Sequence, residues 1–504
     1  MLDFVIVGSG AAGSIVAERL TQNPACKVCL IEAGGEPPEI TWKDNTWFLA
    51  ANDDRNVWNA EGSIQAYSRK CPTKMGKMLG GSTGINAGLW VKGHASVYDS
   101  WDWPGFTSAD VHGALHDMEC STLPGRGKGG PVKIRHATKT AIFEDISQGA
   151  QELGSPRHED MNAEPTGSPL GHGPMDSNME EDGTRCGCYK AFLVGAMGRP
   201  NLTVMTETLV VKVVLEGCRA VGVELEGGEV IRARSEVILS AGSYNSPQLL
   251  MLSGIGEEDH LKQHGLDVAV PLPGVGCGLA DHPWVPMFFK IKEGVDLPET
   301  VQHGSLLGAG RVDGRTDSGL PPDFYVIFVA RKTCIPGMPA PVEGDVIMTA
   351  LYGACPKSRG QVSLASSDPK AAPKIELNYF SHPEDMYTAR KAAEMARAWA
   401  TSGPMMSKWV ETEVVPGAAV TGEALDDFLA AAAHTEWHPC GTCRMGPDLD
   451  AFAVVDQELR VRGCKGLRVV DASVLPSIPT GNIQAPVMGV AALAAKLIEQ
   501  SWAS

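Results

Sequence analysis

Gly8-Ser9-Gly10-Ala11-Ala12-Gly13, followed at the end of the next apolar run by Glu32, is the stretch whose residue types and spacing bear most directly on chemistry. In a G-x-G-x-x-G turn the first glycine permits a tight bend and the second lets a pyrophosphate approach the backbone. The third lets a helix lie close to a strand. The N-terminus of that helix offers unpaired N–H groups to phosphate, and an acid at Glu32 can accept hydrogen bonds from a ribose diol. The motif is informative only in context. By itself it does not separate FAD from NAD.

The context is present. Phe4-Val5-Ile6-Val7 is an apolar, β-branched run suited to a strand buried on both faces. Ser14 to Leu20 reads as helix and Lys27 to Ile31 as a second strand, which makes a βαβ unit. Other motifs with chemical potential fall away. Cys440-Gly441-Thr442-Cys443 has C-x-x-C spacing, but a zinc site takes about four ligands, and the other such pair, Cys26-Lys27-Val28-Cys29, runs into a strand pattern, where a spacing of three sets the two side chains on opposite faces. We expect no metal there. Cys186-Gly187-Cys188 has no partner motif, and there is no Walker lysine motif. His434 stands four residues before His438, but Pro439 argues against a helix that would pair them, and His434 stays unassigned.

The chain has 504 residues, more than one core accommodates, so at least two domains are expected. A net charge of −17, with no basic stripe, argues against nucleic-acid binding. No apolar run reaches the roughly 18 residues of a membrane helix. The first strand starts near the first residue, leaving no room for a secretory signal, and the 13 cysteines are odd in number. Both suggest reduced thiols and a cytoplasmic protein.

In chain order, residues 36–75 read as a long irregular excursion with Trp42, Trp47 and Trp58. Gly76 to Asn86 holds four glycines and small hydroxyl residues, a backbone wall for a flat ligand or an ordinary surface loop. Ala141–Leu153 is an amphipathic helix. Thr203–Val214 reads as one strand, Val221–Leu225 and Val230–Ala233 as a hairpin, and Glu236–Ser240 as a separate buried strand closed by Ala241-Gly242. From about 285 to 430 come strands Phe324–Val329, Val346–Leu351 and Gln361–Leu364 and a helix Asp385–Ala400, a pattern of an antiparallel sheet in an α+β domain. Phe324, Tyr325, Phe328 and Tyr352 line a pocket or fill that domain's core, core being the commoner fate. Leu467–Asp471 returns to buried-strand character, and a last helix begins near Pro486. The expected fold is an α/β Rossmann-like domain with a mixed or parallel sheet (1–155, 198–284, 435–504) and a substrate domain on an antiparallel sheet (156–197, 285–434).

With these pieces assembled, the chain resembles the glucose–methanol–choline (GMC) family of flavin oxidoreductases. Gly76 to Asp99 fits the family's first signature, with Gly80-Gly81-Ser82, Asn86 and Trp90, and Gly242 to Gly256 fits the second throughout. Pro356–Gly360 and Asn378-Tyr379 resemble its substrate-domain stretch. Trp437–Gly446 resembles the catalytic histidine motif, and Val470–Ser473 and Pro479–Pro486 the closing flavin segment. The motifs look most like those of bacterial hydroxymethylfurfural oxidases, with aryl-alcohol and pyridoxine oxidases as neighbours.

The resemblance implies FAD. Gly8, Ser9, Gly10, Ala11, Ala12 and Gly13 would lie along the pyrophosphate, Glu32 and Ala33 by the adenosine ribose, and Val210 at the adenine. Trp58, Met78, Gly81, Ser82, Asn86, Ala87, Ala241, Gly242, Trp437, Asp471, Ala472, Asn482, Ile483 and Gln484 would complete the site. Some relatives tether FAD through a histidine immediately before the residue matching Asn86; here Ile85 stands there, so dissociable FAD is expected. His438 would be the base that withdraws the alcohol proton while hydride passes to flavin N5. Asn482 would hold the substrate oxygen. The implied activity is oxidation of a primary alcohol, aromatic, furanic or heteroaromatic, with oxygen or a quinone-like acceptor. A choline-type dehydrogenase and a hydroxynitrile lyase on the same fold are the alternatives.

Overall fold

Strand Leu2–Val7 has an almost wholly apolar sequence and is buried on both faces, so it takes the middle of a sheet. The computed structural model describes residues 1–42, 47–297, 306–315, 319–331 and 345–503. Leu2–Val7 runs parallel to Val28–Ile31 on one side and to the second half of Val230–Leu239 on the other, with Val5 opposite Cys29 and Val237. Leu202–Met205 extends the parallel part beyond Val28–Ile31, and Leu467–Val469 lies against Val230–Leu239. An antiparallel meander of Val210–Glu216 and Arg219–Leu225 completes this mixed sheet.

Two expected strand boundaries change here. The stretch Thr203–Val214 is two strands, because Glu207 takes a left-handed φ of +50° and turns the chain. Conversely, Val230–Leu239 is one continuous strand; its exposed first half serves the meander and its buried second half the parallel core.

The second sheet is antiparallel throughout, in the order Gly171–Pro174, Leu306–Gly310, Phe324–Arg331, Val346–Gly353, Pro283–Ile291, Val410–Val415, with His434–Thr435 also beside Pro283–Ile291. Side chains alternate between its faces. Met287, Phe289, Val326, Phe328 and Leu351 pack under helix Pro383–Ala400, where Phe328 stacks on Trp399 at 5.9 Å. Trp284, Phe288, Tyr325, Met348 and Tyr352 form the opposite face. The expected architecture, a mixed Rossmann-like sheet with an α+β unit on an antiparallel sheet, is the one observed.

The helix begins at Pro383 rather than Asp385, since proline suits a first turn and the His382 ring accepts from the Glu384 N–H. Gly360–Ser363 does not join the antiparallel sheet. It pairs with Lys374–Glu376, which runs parallel to Glu61–Ile64. The expected irregular stretch 36–75 therefore contributes a hairpin, Glu61–Ile64 with Arg69–Pro72, to a separate five-stranded sheet. Its sequence hides this, because Gly62 carries no side chain to show the alternation; a Cβ there would lie 2.7 Å from Leu377. The last helix, Gln484–Ala503, carries buried alanines and packs against helix Ala11–Leu20. Among the described residues no helix is long and apolar enough to cross a membrane.

Candidate active site

The glycine turn is shaped by contacts that admit no side chain at two positions and by open space at a third. A Cβ on Gly13 would lie 1.9 Å from the Gly8 carbonyl oxygen, and one on Gly8 2.4 Å from that of Ser240. At Gly10 a Cβ would meet nothing within 4 Å, and Gly10 precedes helix Ala11–Leu20 with no side chain capping its N–H groups. Bare backbone and free donors there suit a phosphate. The second glycine-rich segment closes on the first: a Cβ on Gly81 would lie 2.8 Å from the Gly10 Cα, and the Gly80 N–H donates to the Ser9 carbonyl at 3.0 Å. Residues 76–86 are thus a wall of the turn, with the Met78 carbonyl 3.4 Å from the Ser9 hydroxyl.

Glu32 is buried and already accepts from the Ser9 N–H at 2.9 Å, the Ser9 hydroxyl at 2.6 Å and the Gly34 N–H at 3.0 Å. Asp471 likewise accepts from Gly242 N–H (2.9 Å), Ser246 Oγ (2.5 Å) and both donors of Ser473 (2.8 and 2.5 Å). These carboxylates hold the strand-end turns in place; Ala33, Ala241 and Ala472 flank them. Ser82 Oγ accepts from Gly76 N–H at 3.0 Å. Asn86 donates to Gln484, and its own oxygen accepts from Arg185 at 2.6 Å, so segments almost 400 residues apart meet. Trp58 pairs with Met75 across two short strands, and Lys77 Nζ sits 4.9 Å over its ring. Val210 is buried at the start of its strand and Ile483 is buried near the last helix. Ile85 packs against Ala50, Val57 and Met78. Ala87 lies between Asn86 and Gly88, and Trp437 is 43% exposed with a left-handed φ of +58°. The turn, the free helix end and the facing glycine wall fit a dinucleotide.

The two residues expected to do chemistry meet. Asn482 Nδ2 lies 3.1 Å from His438 Nε2, with both residues buried. Asn482 is carried on the turn before the last helix, where Gly481 (φ +80°) passes so near Val91 that a Cβ would lie 2.6 Å from its methyl. The Thr480 hydroxyl fixes this turn by accepting from the His94 N–H at 2.7 Å. His438 is carried on a loop tied to the second signature by Ser243 Oγ donating to the Pro439 carbonyl and Thr442 Oγ1 to the Ser243 carbonyl, each at 2.7 Å.

Two further groups at this centre, Asp281 and His282, escape the sequence reading. Residues 280–284 run antiparallel to 434–440, with Trp284 opposite His434 and Ala280 opposite Cys440. That ladder places Asp281 and His282 against His438. Asp281 accepts from the His438 N–H at 3.0 Å, Tyr379 OH at 2.5 Å and Thr435 Oγ1 at 2.6 Å. His282 Nδ1 lies 3.0 Å from His438 Nδ1, and its Nε2 lies 3.1 Å from the Ala354 carbonyl. Tyr352 packs on both rings, its centroid 5.2 Å from His282 and 6.5 Å from His438. No spacing rule links positions 156 residues apart; only the strand pairing does.

Burial sets the protonation states. It holds His438 well below the usual histidine value, with His282 adding to the effect, and holds His282 down at about 4. Both rings are neutral near pH 7. Burial raises Asp281 to about 6 and Glu436 to about 8, the latter helped by Asp281. Among the described residues, three polar atoms on side chains of this region, Asn482 Oδ1, Tyr352 OH and Trp284 Nε1, are buried without a hydrogen-bond partner. Such groups are costly unless a ligand satisfies them.

Comparison with known proteins agrees with the geometry. N-terminal and C-terminal GMC oxidoreductase profiles match residues 2–284 and 356–491. An oxygen-dependent choline dehydrogenase of Rhizobium meliloti (strain 1021) is 35% identical over 96% of this chain and 93% of its own length. The crystal structure of pyridoxine 4-oxidase from Mesorbium loti superposes with a TM-score of 0.91 at 30% identity, covering 99% of each chain. A fungal aryl-alcohol oxidase shares the fold, with a TM-score of 0.84 at 21% identity over 100% of this chain and 99% of its own. The chain belongs to the GMC oxidoreductases, FAD-binding flavoenzymes that act on CH–OH groups.

Proposed function

We propose that this GMC oxidoreductase oxidises a primary alcohol on an aromatic, furanic or heteroaromatic ring to the aldehyde, with His438 as the base and Asn482 holding the substrate oxygen. The observation that carries this reading is the buried His438–Asn482 contact at 3.1 Å, its imidazole neutral near pH 7. A neutral ring has a lone pair for the hydroxyl proton. An amide beside it can hold the oxygen while the carbon is oxidised. The glycine turn, Glu32, the 76–86 wall and the segments at Asp471 and Ile483 would hold FAD, which would supply the hydride acceptor. The cofactor is dissociable on this reading, because Ile85 offers no nucleophile. We assign residues 1–155, 198–284 and 435–504 to the cofactor domain and 156–197 and 285–434 to the substrate domain. The compartment we favour is the cytoplasm.

A second reading is a choline-type alcohol dehydrogenase. It is supported by the name of the Rhizobium meliloti relative and by the row Trp284–Tyr352–Tyr325, whose aromatic faces also suit a quaternary ammonium. Anaerobic mixing of the purified holoenzyme with hydroxymethylfurfural, benzyl alcohol, pyridoxine and choline separates the two. Bleaching of the flavin bands by the ring alcohols supports the first reading. Bleaching by choline alone replaces it with the second, and admitting air then distinguishes oxygen from another acceptor.

A further inference from the structure

We propose that His282 is a positioning residue that sets the tautomer of His438, leaving Nε2, the nitrogen beside Asn482, as the bare one. The chain of reasoning starts at a backbone carbonyl. Ala354 O can only accept, so the His282 Nε2 at 3.1 Å carries the hydrogen. A neutral imidazole has one N–H, which leaves His282 Nδ1 with a lone pair. Opposite it, at 3.0 Å, stands His438 Nδ1. Two bare nitrogens at that distance would repel, so His438 Nδ1 is the donor. His438 Nε2 is then unprotonated and takes a hydrogen bond from Asn482 Nδ2 at 3.1 Å.

The same relay fixes the Asn482 amide. With Nε2 bare, the flipped amide would set an oxygen lone pair against a nitrogen lone pair. In the orientation observed, Asn482 Oδ1 is the atom left buried and without a partner. The adjacent dipeptide position does complementary work: Asp281 holds the His438 backbone N–H at 3.0 Å while His282 holds the ring.

For catalysis, which rests on the proposed role of His438 as base, the consequence is directional. The substrate O–H bond breaks and an Nε2–H bond forms, the electron pair staying on the substrate oxygen. The Nδ1–H already present remains donated to His282 and strengthens as the ring becomes cationic. In the other tautomer Nε2 would present a hydrogen to the hydroxyl and no proton could be taken there.

The test pairs two variants of nearly equal shape. In His282→Asn the amide oxygen can sit where the imidazole Nδ1 sat and still accept from His438. In His282→Leu nothing accepts. Anaerobic flavin reduction by the alcohol that the wild type oxidises is expected to slow by about 100-fold or more in His282→Leu, and by less than about 10-fold in His282→Asn. Equal loss in both would mean that His282 is only packing, and would overturn the proposal. An independent readout uses the wild-type holoenzyme labelled with ¹⁵N-histidine, with the His438 signals assigned by their absence in His438→Ala. The proposal requires a protonated Nδ1 and an unprotonated Nε2 from pH 6.5 to 8; the reverse pattern refutes it even if a variant fails to fold. Full-speed flavin reduction by His438→Ala would instead remove the base role and leave the tautomer assignment standing.

Discussion

The cofactor turn and the histidine centre are built on opposite plans. The turn is contiguous, running from Gly8 to Glu32, and it works through backbone: Gly13 and Gly8 bring chain against chain, and Gly10 leaves donors bare. The histidine centre is made of side chains from four remote segments, around Asp281, Ala354, His438 and Asn482, and it works through hydrogen-bond direction. The difference is physical. A phosphate is recognised by any correctly bent backbone, so its site can be written locally. A proton acceptor needs a defined lone pair, and fixing one takes partners on several sides.

The comparison can be broken first at Asp281. Removing its carboxylate in Asp281→Ala leaves the His438 N–H, Tyr379 OH and Thr435 Oγ1 without their acceptor, a loss we expect at about 3–5 kcal/mol of stability by denaturant titration. Asp281→Asn retains an acceptor and should lose less than half of that. An equal loss in both would mean that charge, not hydrogen bonding, is what Asp281 supplies.

Acid probes the same centre. The folded-state value of His282, about 4, lies below that of an unfolded histidine near 6.5. The unfolded chain therefore binds the proton first, and stability is lost as the pH falls from 6.5 towards 4, by roughly 3 kcal/mol for this one group. Raised Asp281, at about 6, works the other way, losing stability as the pH rises through its range. Because the two windows overlap, the measurable quantity is a difference. His282→Asn should be less acid-sensitive than wild type, with the stabilities compared at pH 7 and pH 4; identical pH profiles would contradict the buried neutral ring.

At the glycine turn the expected effects split by position. Gly13→Ala drives a Cβ into the Gly8 carbonyl at 1.9 Å and should cost about 1–3 kcal/mol even without cofactor. Gly10→Ala meets open space; the apoprotein should melt within about a degree of wild type, yet FAD should bind at least about tenfold more weakly, as read by flavin fluorescence. If Gly10→Ala binds FAD as wild type does, phosphate does not lie where the open backbone suggests. Smallest is Tyr352→Phe, which removes a hydroxyl that has no partner. Stability should change by less than about 0.5 kcal/mol, while KM for a ring alcohol bearing an acceptor should rise.

What could be read in the sequence follows the same division. The parallel core and its glycine turn were legible because periodicity and glycine spacing are local. So was the antiparallel sheet, though Gly360–Ser363 belongs to another sheet; in the mixed sheet Glu207 splits a strand that composition alone joins. His438 and Asn482 were singled out through motif resemblance; among 13 histidines nothing local marks one. Asp281 and His282 were missed because their link to His438 is a cross-strand register, and no linear spacing encodes it. The aromatics divide by parity: Phe324 and Phe328 face the helix, and Tyr325 and Tyr352 the opposite side.

The most direct test of the central claim is the anaerobic rate of flavin reduction in His438→Ala against wild type, with FAD content measured on the same samples and the alcohol that best bleaches the wild type. The account predicts full FAD occupancy with reduction slowed by at least about 100-fold. Reduction at the wild-type rate with FAD in place would show that the proton leaves by another route, and the role given to His438 would be wrong.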